Sequence, residues 1–275
     1  VGTLILAALD AGVDEILLCI GGSATSDGGA GMLRALGARL LDACGDEVDP
    51  GARGLAELAR IDLAAFDPRA RAVRWRIACD VDNPLTGPRG AAAVFGPQKG
   101  ASSEEVAVID AGLDRLAAVL CEELDSVVGG AGAGAPSVEP LLNMPGLGAA
   151  GGLALGLVAL CGAELVPGAE LVSEAVGLPE LLDHADLVMT GEGRLDAQSL
   201  DGKVVSSVLA AAAGRVPVVV VAGSVALTAA ETRQAGLAAA FSIAQGPASL
   251  AELQTNCLEL LTETSAQVCG LILPD

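Results

Sequence analysis

The stretch Val216-Pro-Val-Val-Val-Val-Ala222 carries no polar side chain and runs straight into Gly223-Ser224. A run so short, so apolar and so rich in β-branched residues reads as a strand buried on both faces. Strands of that kind belong to parallel sheets covered by helices. Its surroundings agree. From Asp186 onward the pattern gives a strand to Thr190, a helix over Lys203–Ala213, the Val216–Ala222 strand, a further strand over Ala238–Ile243 and a closing helix over Leu250–Gly270. Alternating strands and helices are the signature of an α/β fold. Earlier in the chain, Glu15–Ile20 and Val73–Val81 read as strands, with a short one near Arg39–Leu41. Gly2–Gly12, Met32–Leu36, Glu104–Leu124 and Glu170–Asp183 read as helices, and Asp42–Pro68 as turns with short helical pieces.

The core must be built without large rings, because 275 residues hold one Trp, three Phe and no Tyr. Small and branched side chains, with glycine permitting close backbone approach, have to fill it. The formal charge of −20 speaks against nucleic acid and against an anionic membrane surface, both of which call for clustered Lys and Arg. It leaves room for a small anion, which backbone N–H groups, helix N-termini or Mg²⁺ can hold. It also leaves assembly into a homo-oligomer open. Seven cysteines without a CxxC pair read as buried free thiols of a reducing, cytoplasmic setting. The one histidine, His184, has no Ser-His-Asp partners in view. Leu141–Ala163 lacks charge and is long enough to span a bilayer, yet its proline and glycines fit a tightly packed buried helix from Pro145 to Cys161 better. Gly129–Ala135 reads as a flexible Gly/Ala insertion.

Three strands end in loops dense with Gly, Asp and hydroxyl residues, where open α/β sheets bind ligands. In the first, Gly21, Gly22, Gly28 and Gly29 flank Ser23, Thr25, Ser26 and Asp27 ahead of a helix. Such a loop either turns its N–H groups on an anion or is a plain strand–helix turn. In the second, Asp80, Asp82 and Asn83 precede Pro84. The oxygens suit Mg²⁺, and the alternative is an Asx-Pro turn. The third brings Glu192, Arg194, Asp196 and Gln198 into one Gly-flanked segment, an unusual density of charge for a connector. Among thirteen Arg there are two Lys, Lys99 and Lys203, both in glycine-containing loops, where a lysine acts as a point charge for phosphate or is a chance survivor of an Arg-rich composition. There is no Walker pattern. Gly146-Leu-Gly-Ala-Ala-Gly151 spells GxGxxG but follows Pro145, not a strand, and so fails as a dinucleotide motif.

Taken together, IGGSATSDGGAGML, ALGARLLD, CDVDNPLTG, FGPQKGAS, PGLGAAGGLALGL, TGEGRLDAQSLDGKV and VVVVAGS resemble the glycerate kinase family of bacterial glyoxylate- and galactarate-pathway enzymes. They come in the family's order across nearly the whole chain, with SATSD for the usual SATND and PGLG for PGAG. The resemblance implies two α/β domains. Residues 1–167 would be a mixed α/β middle domain with the substrate and phosphate loops. Residues 168–275 would be the C-terminal part of a Rossmann-like domain with a parallel sheet, expected to be incomplete here because the family's opening segment, roughly a hundred residues by the usual length and carrying a DSFK-like loop and an ADGGEGT-like stretch, is not in the sequence. It further implies ATP as donor, Mg²⁺, and D-glycerate as acceptor, with 2-phosphoglycerate the favoured product; the alternative it leaves is an inactive or weakly ligand-binding remnant. By that resemblance Asp196 is the base or the group that orients water or metal. Glu192 and Asp80 serve Mg²⁺ or the substrate hydroxyls. Ser23, Thr25 and their neighbours hold phosphate or the glycerate carboxylate, and Arg194, Lys99 and Lys203 neutralise charge.

Overall fold

The apolar runs become parallel strands. A computed structural model describes residues 1–128, 138–200 and 204–271, in two units, Val1–Gly168 and Ala169–Asp275. In the first unit the strands are β1 (Glu15–Cys19), β2 (Arg39–Leu41), β3 (Arg60–Asp62), β4 (Arg74–Ala78) and β5 (Glu164–Val166). A parallel sheet runs β1-β4-β5, while β2 and β3 form a separate antiparallel pair. The second unit has β6 (Val188–Leu195), β7 (Val218–Val225) and β8 (Ala239–Ser242), all parallel in the order β6-β7-β8.

The first unit's core has the composition the sequence demands. Leu33, Leu36, Leu40, Leu55, Ile61 and Ile77 are fully buried, and Trp75 joins them with its indole N–H donated to Ala70 O at 2.7 Å. The helix Ser103–Val128 buries Leu113, Leu116, Ala117 and Leu120, the spacing of one helical face. Its start is set by a reciprocal pair, in which Ser102 N–H donates to Glu105 at 2.9 Å and Glu105 N–H to Ser102 Oγ at 3.2 Å. In the second unit Leu182, Leu195, Val205, Val216, Val218, Val220 and Leu237 form the core. The helices Ala229–Gln234 and Leu250–Thr255 each open on the same kind of capping box, at Thr228 and Ser249. Removing such a cap costs about 1 kcal/mol.

Several expectations change. The buried helix over Pro145–Cys161 shrinks to Leu155–Cys161, because Gly146, Gly151 and Gly152 take left-handed backbone angles that no helix continues. No described helix is long and apolar enough to cross a membrane. Glu170–Asp183 divides into Gly168–Ala175 and Leu178–Leu182 at Gly177 (φ 69°), and the closing helix breaks at Asn256. The segment Gly191–Arg194, read as a loop, continues strand β6, with Glu192 paired to Ala222 and Arg194 to Ser224. Of the seven cysteines only Cys121 is buried, and Cys19, Cys44 and Cys257 are exposed, so the reading of uniformly buried thiols is corrected. The Gly129–Ala135 insertion lies outside the described residues.

Candidate functional site

In the first unit the Gly21–Gly31 loop follows β1 and is folded by its own aspartate. Asp27 Oδ1 accepts from Thr25 Oγ1 at 2.5 Å and from Gly29 N–H at 3.2 Å, and Oδ2 accepts from Gly31 N–H at 3.2 Å. Gly22, Gly28 and Gly29 have positive φ, as the tight path requires. The loop is backed by the glycine-rich segment after Pro145. Gly28 N–H donates to Gly151 O at 2.9 Å, and a Cβ on Gly151 would lie 2.2 Å from Thr25 O. That contact leaves room for glycine alone.

Lys99 reaches this loop from the short 3₁₀ turn Pro97–Lys99, donating to Ser23 Oγ at 3.0 Å and to Thr25 O at 2.6 Å. Partial burial pushes its ammonium below the ordinary lysine value of 10.5, and the charge of Asp27 works in the opposite direction. Two cavities share Lys99. One, about 440 Å³, is lined by Gly21, Gly22, Ser23, Asp80, Gln98 and Ala150. The other, about 700 Å³, is lined by Ala24, Ser26, Arg53, Glu104 and Val108 among others. The structure thus brings Gly21, Gly22, Ser23, Asp80 and Lys99 around one concavity, and ties Thr25, Asp27, Gly28 and Gly29 to its wall.

The two carboxylates of the Asp80–Asn83 segment face different partners. Asp80 Oδ1 accepts from Gly168 N–H at 2.7 Å and the residue lines the smaller cavity. Asp82 is exposed and ion-paired to Arg89 at 2.7 Å, and that guanidinium's hydrogen bond holds its carboxyl below the usual range. Among the described residues no three His, Cys, Asp or Glu side chains cluster as metal donors. Mg²⁺, which commonly takes one or two carboxylates with the rest of its shell from phosphate and water, fits Asp80, the one carboxylate among the described residues that line the smaller cavity.

In the second unit Arg194 Nε and Asp196 Oδ2 form an ion pair at 3.2 Å. Ser199, which closed the third segment of the sequence reading but was given no role there, fixes the turn that follows: its buried Oγ donates to Arg194 O at 3.0 Å and accepts from Asp196 N–H at 3.2 Å. A serine three residues after an aspartate at a strand end was the available signal. Gln198 falls in the 3₁₀ turn Ala197–Leu200, and Lys203 lies outside the described residues. Glu192 lines a third cavity, about 540 Å³, with Gly191, Gly193, Gly223, Ser224 and Ile243.

A family profile described as the glycerate kinase family matches residues 1–273. A glycerate kinase of Bacillus subtilis is 43% identical over 98% of this chain and 68% of its own length. A glycerate 2-kinase of Escherichia coli is 40% identical with the same two coverages. A crystal structure from Salmonella typhimurium LT2, assigned there as a glycerate kinase 2, superposes with a TM-score of 0.77 at 43% identity, over 99% of this chain and 69% of that one.

Proposed function

The chain belongs to the glycerate kinase family, and on that premise we propose that it transfers the γ-phosphoryl group of ATP to the 2-hydroxyl of D-glycerate, giving 2-phosphoglycerate and ADP. The observation that carries the reading is Lys99. In a chain of formal charge −20 with two lysines, one ammonium is half-buried at the rim of two cavities and is tethered to the Ser23–Thr25 loop. A cation so placed has an oxyanion as its natural ligand. The choice of the 2-hydroxyl is supported by the name of the Escherichia coli relative. A cytoplasmic setting goes with ATP as donor.

Phosphoryl transfer asks a protein for positioning and charge neutralisation more than for covalent chemistry. The hydroxyl oxygen of glycerate forms its bond to the γ-phosphorus as the bond to the β-bridging oxygen breaks, ADP leaves, and the hydroxyl proton goes to a carboxylate. Asp196, held by Arg194 and Ser199, is the base in this reading. Lys99, with Ser23 and the N–H groups of the Gly21–Gly22 turn, takes the charge of a carboxylate or phosphoryl oxygen. Asp80 would hold Mg²⁺, which when bound offsets phosphate charge.

The test is an ATP- and Mg²⁺-dependent assay with D-glycerate, coupled to enolase without added mutase. Enolase acts on the 2-phosphate directly, so an immediate signal supports the regiochemistry, and a signal appearing only after mutase is added reverses it. Asp196→Asn should lower kcat at least about a hundredfold, as for a positioned acid–base group. Near-normal turnover in that variant removes Asp196 from the chemistry.

A further inference from the structure

The cavity lined by Glu192 differs in kind from the two that share Lys99. It lies against the middle of β6, the carboxyl-terminal half of β7 and the end of β8, where Gly191–Gly193, Val221–Ser224 and Ile243 follow one another across the sheet. Its other wall comes from Leu250, Leu253, Gln254, Cys257 and Leu261. Among the described residues no Lys, Arg or His lines it. Its one ionisable carboxylate, Glu192, has Oε1 sealed from solvent and without a hydrogen-bond partner among the described residues. A buried acceptor left this way is costly, so it points to a donor that arrives with a ligand. Leu250 and Leu261, at 70% and 39% exposure, leave apolar surface uncovered on the same wall.

These features select one class of occupant. Phosphate or a carboxylic acid would meet Glu192 with no compensating cation among the described residues of the lining. A metal ion would find there a single carboxylate among mostly aliphatic side chains. A small amine would fill little of 540 Å³. A nucleoside matches: a vicinal diol offers two O–H donors to one carboxylate, and a flat, largely apolar base fits between aliphatic walls, with the Gln254 amide able to address its edge. The glycines suit such a ligand too. A Cβ on Gly193 would meet nothing within 4 Å, so the strand presents bare backbone there. The position, displaced toward the carboxyl-terminal half of β7 and the end of β8, is on the side where open α/β sheets take ligands.

We propose that this cavity seats the nucleoside half of the phosphoryl donor, its ribose hydroxyls donating to Glu192 and its base lying against Ile243, Leu250 and Leu253. The assignment rests on the reading of the chain as a nucleotide-dependent kinase, and it gives Glu192 a binding role in place of the metal or glycerate-hydroxyl role expected from sequence.

The experiment is calorimetric titration of the 275-residue chain with ADP, 2′-deoxy-ADP and adenosine, on the unaltered protein, Glu192→Gln and Leu253→Trp, with thermal melts to show that each variant is folded. Glu192→Gln should weaken ADP about tenfold or more, the scale of hydrogen bonds to a charged group. On the unaltered protein 2′-deoxy-ADP should bind more weakly than ADP, and it should lose less than ADP does when Glu192 is replaced. Leu253→Trp, which fills the cavity, should abolish binding of both ADP and adenosine. Equal ADP affinity in all three proteins overturns the proposal, and so does an unaltered protein that binds neither ADP nor adenosine. The readout is binding alone, so failure to phosphorylate glycerate would count against the activity without touching this site. Conversely, turnover with an unchanged KM for ATP in Glu192→Gln would sink this site and leave the activity standing.

Discussion

At the scale of single residues, Lys99 carries the sharpest expectation. Burial favours its neutral form, so its proton is lost at lower pH than from an ordinary lysine at 10.5. Activity that needs the cation should therefore fall along an alkaline limb lying below that value. Lys99→Arg, whose guanidinium stays charged throughout, should flatten the limb even if it lowers the plateau by misfitting the Ser23 and Thr25 contacts. Lys99→Met should lower kcat/KM by about a hundredfold or more at all pH. The pH dependence of kcat/KM in the three proteins is the measurement. For stability the sign is the other way. The unfolded chain binds this proton more tightly, so Lys99 opposes folding while it is charged in both states, and that effect fades as pH rises past its lowered value. Little of this was legible beforehand. The scarcity of lysine singled out Lys99, but Ser23 and Thr25 lie more than seventy positions away in sequence, and only the fold brings them to it. Asp80 and Asp82 show the converse. Two residues apart, they looked like a pair, and each found a different partner in Gly168 and Arg89.

At the scale of elements, what the sequence showed depended on whether a segment's own side chains decide its structure. β7 was legible because its residues are apolar enough to require burial in any fold, and β1 from its apolar run, although the expected burial did not follow, since Leu17 and Cys19 are exposed. β3 and β5 were not. Each is three residues long and opens on a charged side chain, and their extended form comes from pairing, Arg39 with Asp62 and Arg76 with Glu164. Glycine misled in both directions. Gly191 and Gly193 suggested a loop where the ladder with β7 overrides their weak strand preference, whereas those after Pro145 suggested helix packing where they make turns. The turn at Gly151 has a definite cost of change. Alanine there would hold φ at 71° and set a Cβ 2.2 Å from Thr25 O and 2.5 Å from Ser26 Cα. Backbone stands on both sides, so relief requires moving the loop that bears Ser23 and Thr25. Gly151→Ala should destabilise by on the order of 3–5 kcal/mol, in the range of overpacking joined to backbone strain. A denaturant melt checks the stability. A fall in glycerate affinity alongside it would show that the loop has shifted.

At the scale of the whole molecule, charge and core composition set behaviour that no single site does. Thirty-five acidic residues against fifteen basic ones make the folded chain repel itself. Added salt screens that repulsion over a distance that shrinks from about 30 Å at 0.01 M to about 8 Å at 0.15 M. The melting temperature should therefore rise with sodium chloride over that interval, where a chain stabilised mainly by surface ion pairs would lose stability; scanning calorimetry at both concentrations decides. A different consequence follows from the single indole. Trp75 sits in the core of the first unit with its N–H bonded to Ala70 O, and the chain has no tyrosine. Emission excited at long ultraviolet wavelength will therefore come from that unit alone, and the second will be optically dark. An intensity or wavelength change during denaturation dates the opening of Val1–Gly168, while circular dichroism sums the helices of both units. Wherever the two curves part, the difference is the unfolding of Ala169–Asp275, seen without a label or a mutation.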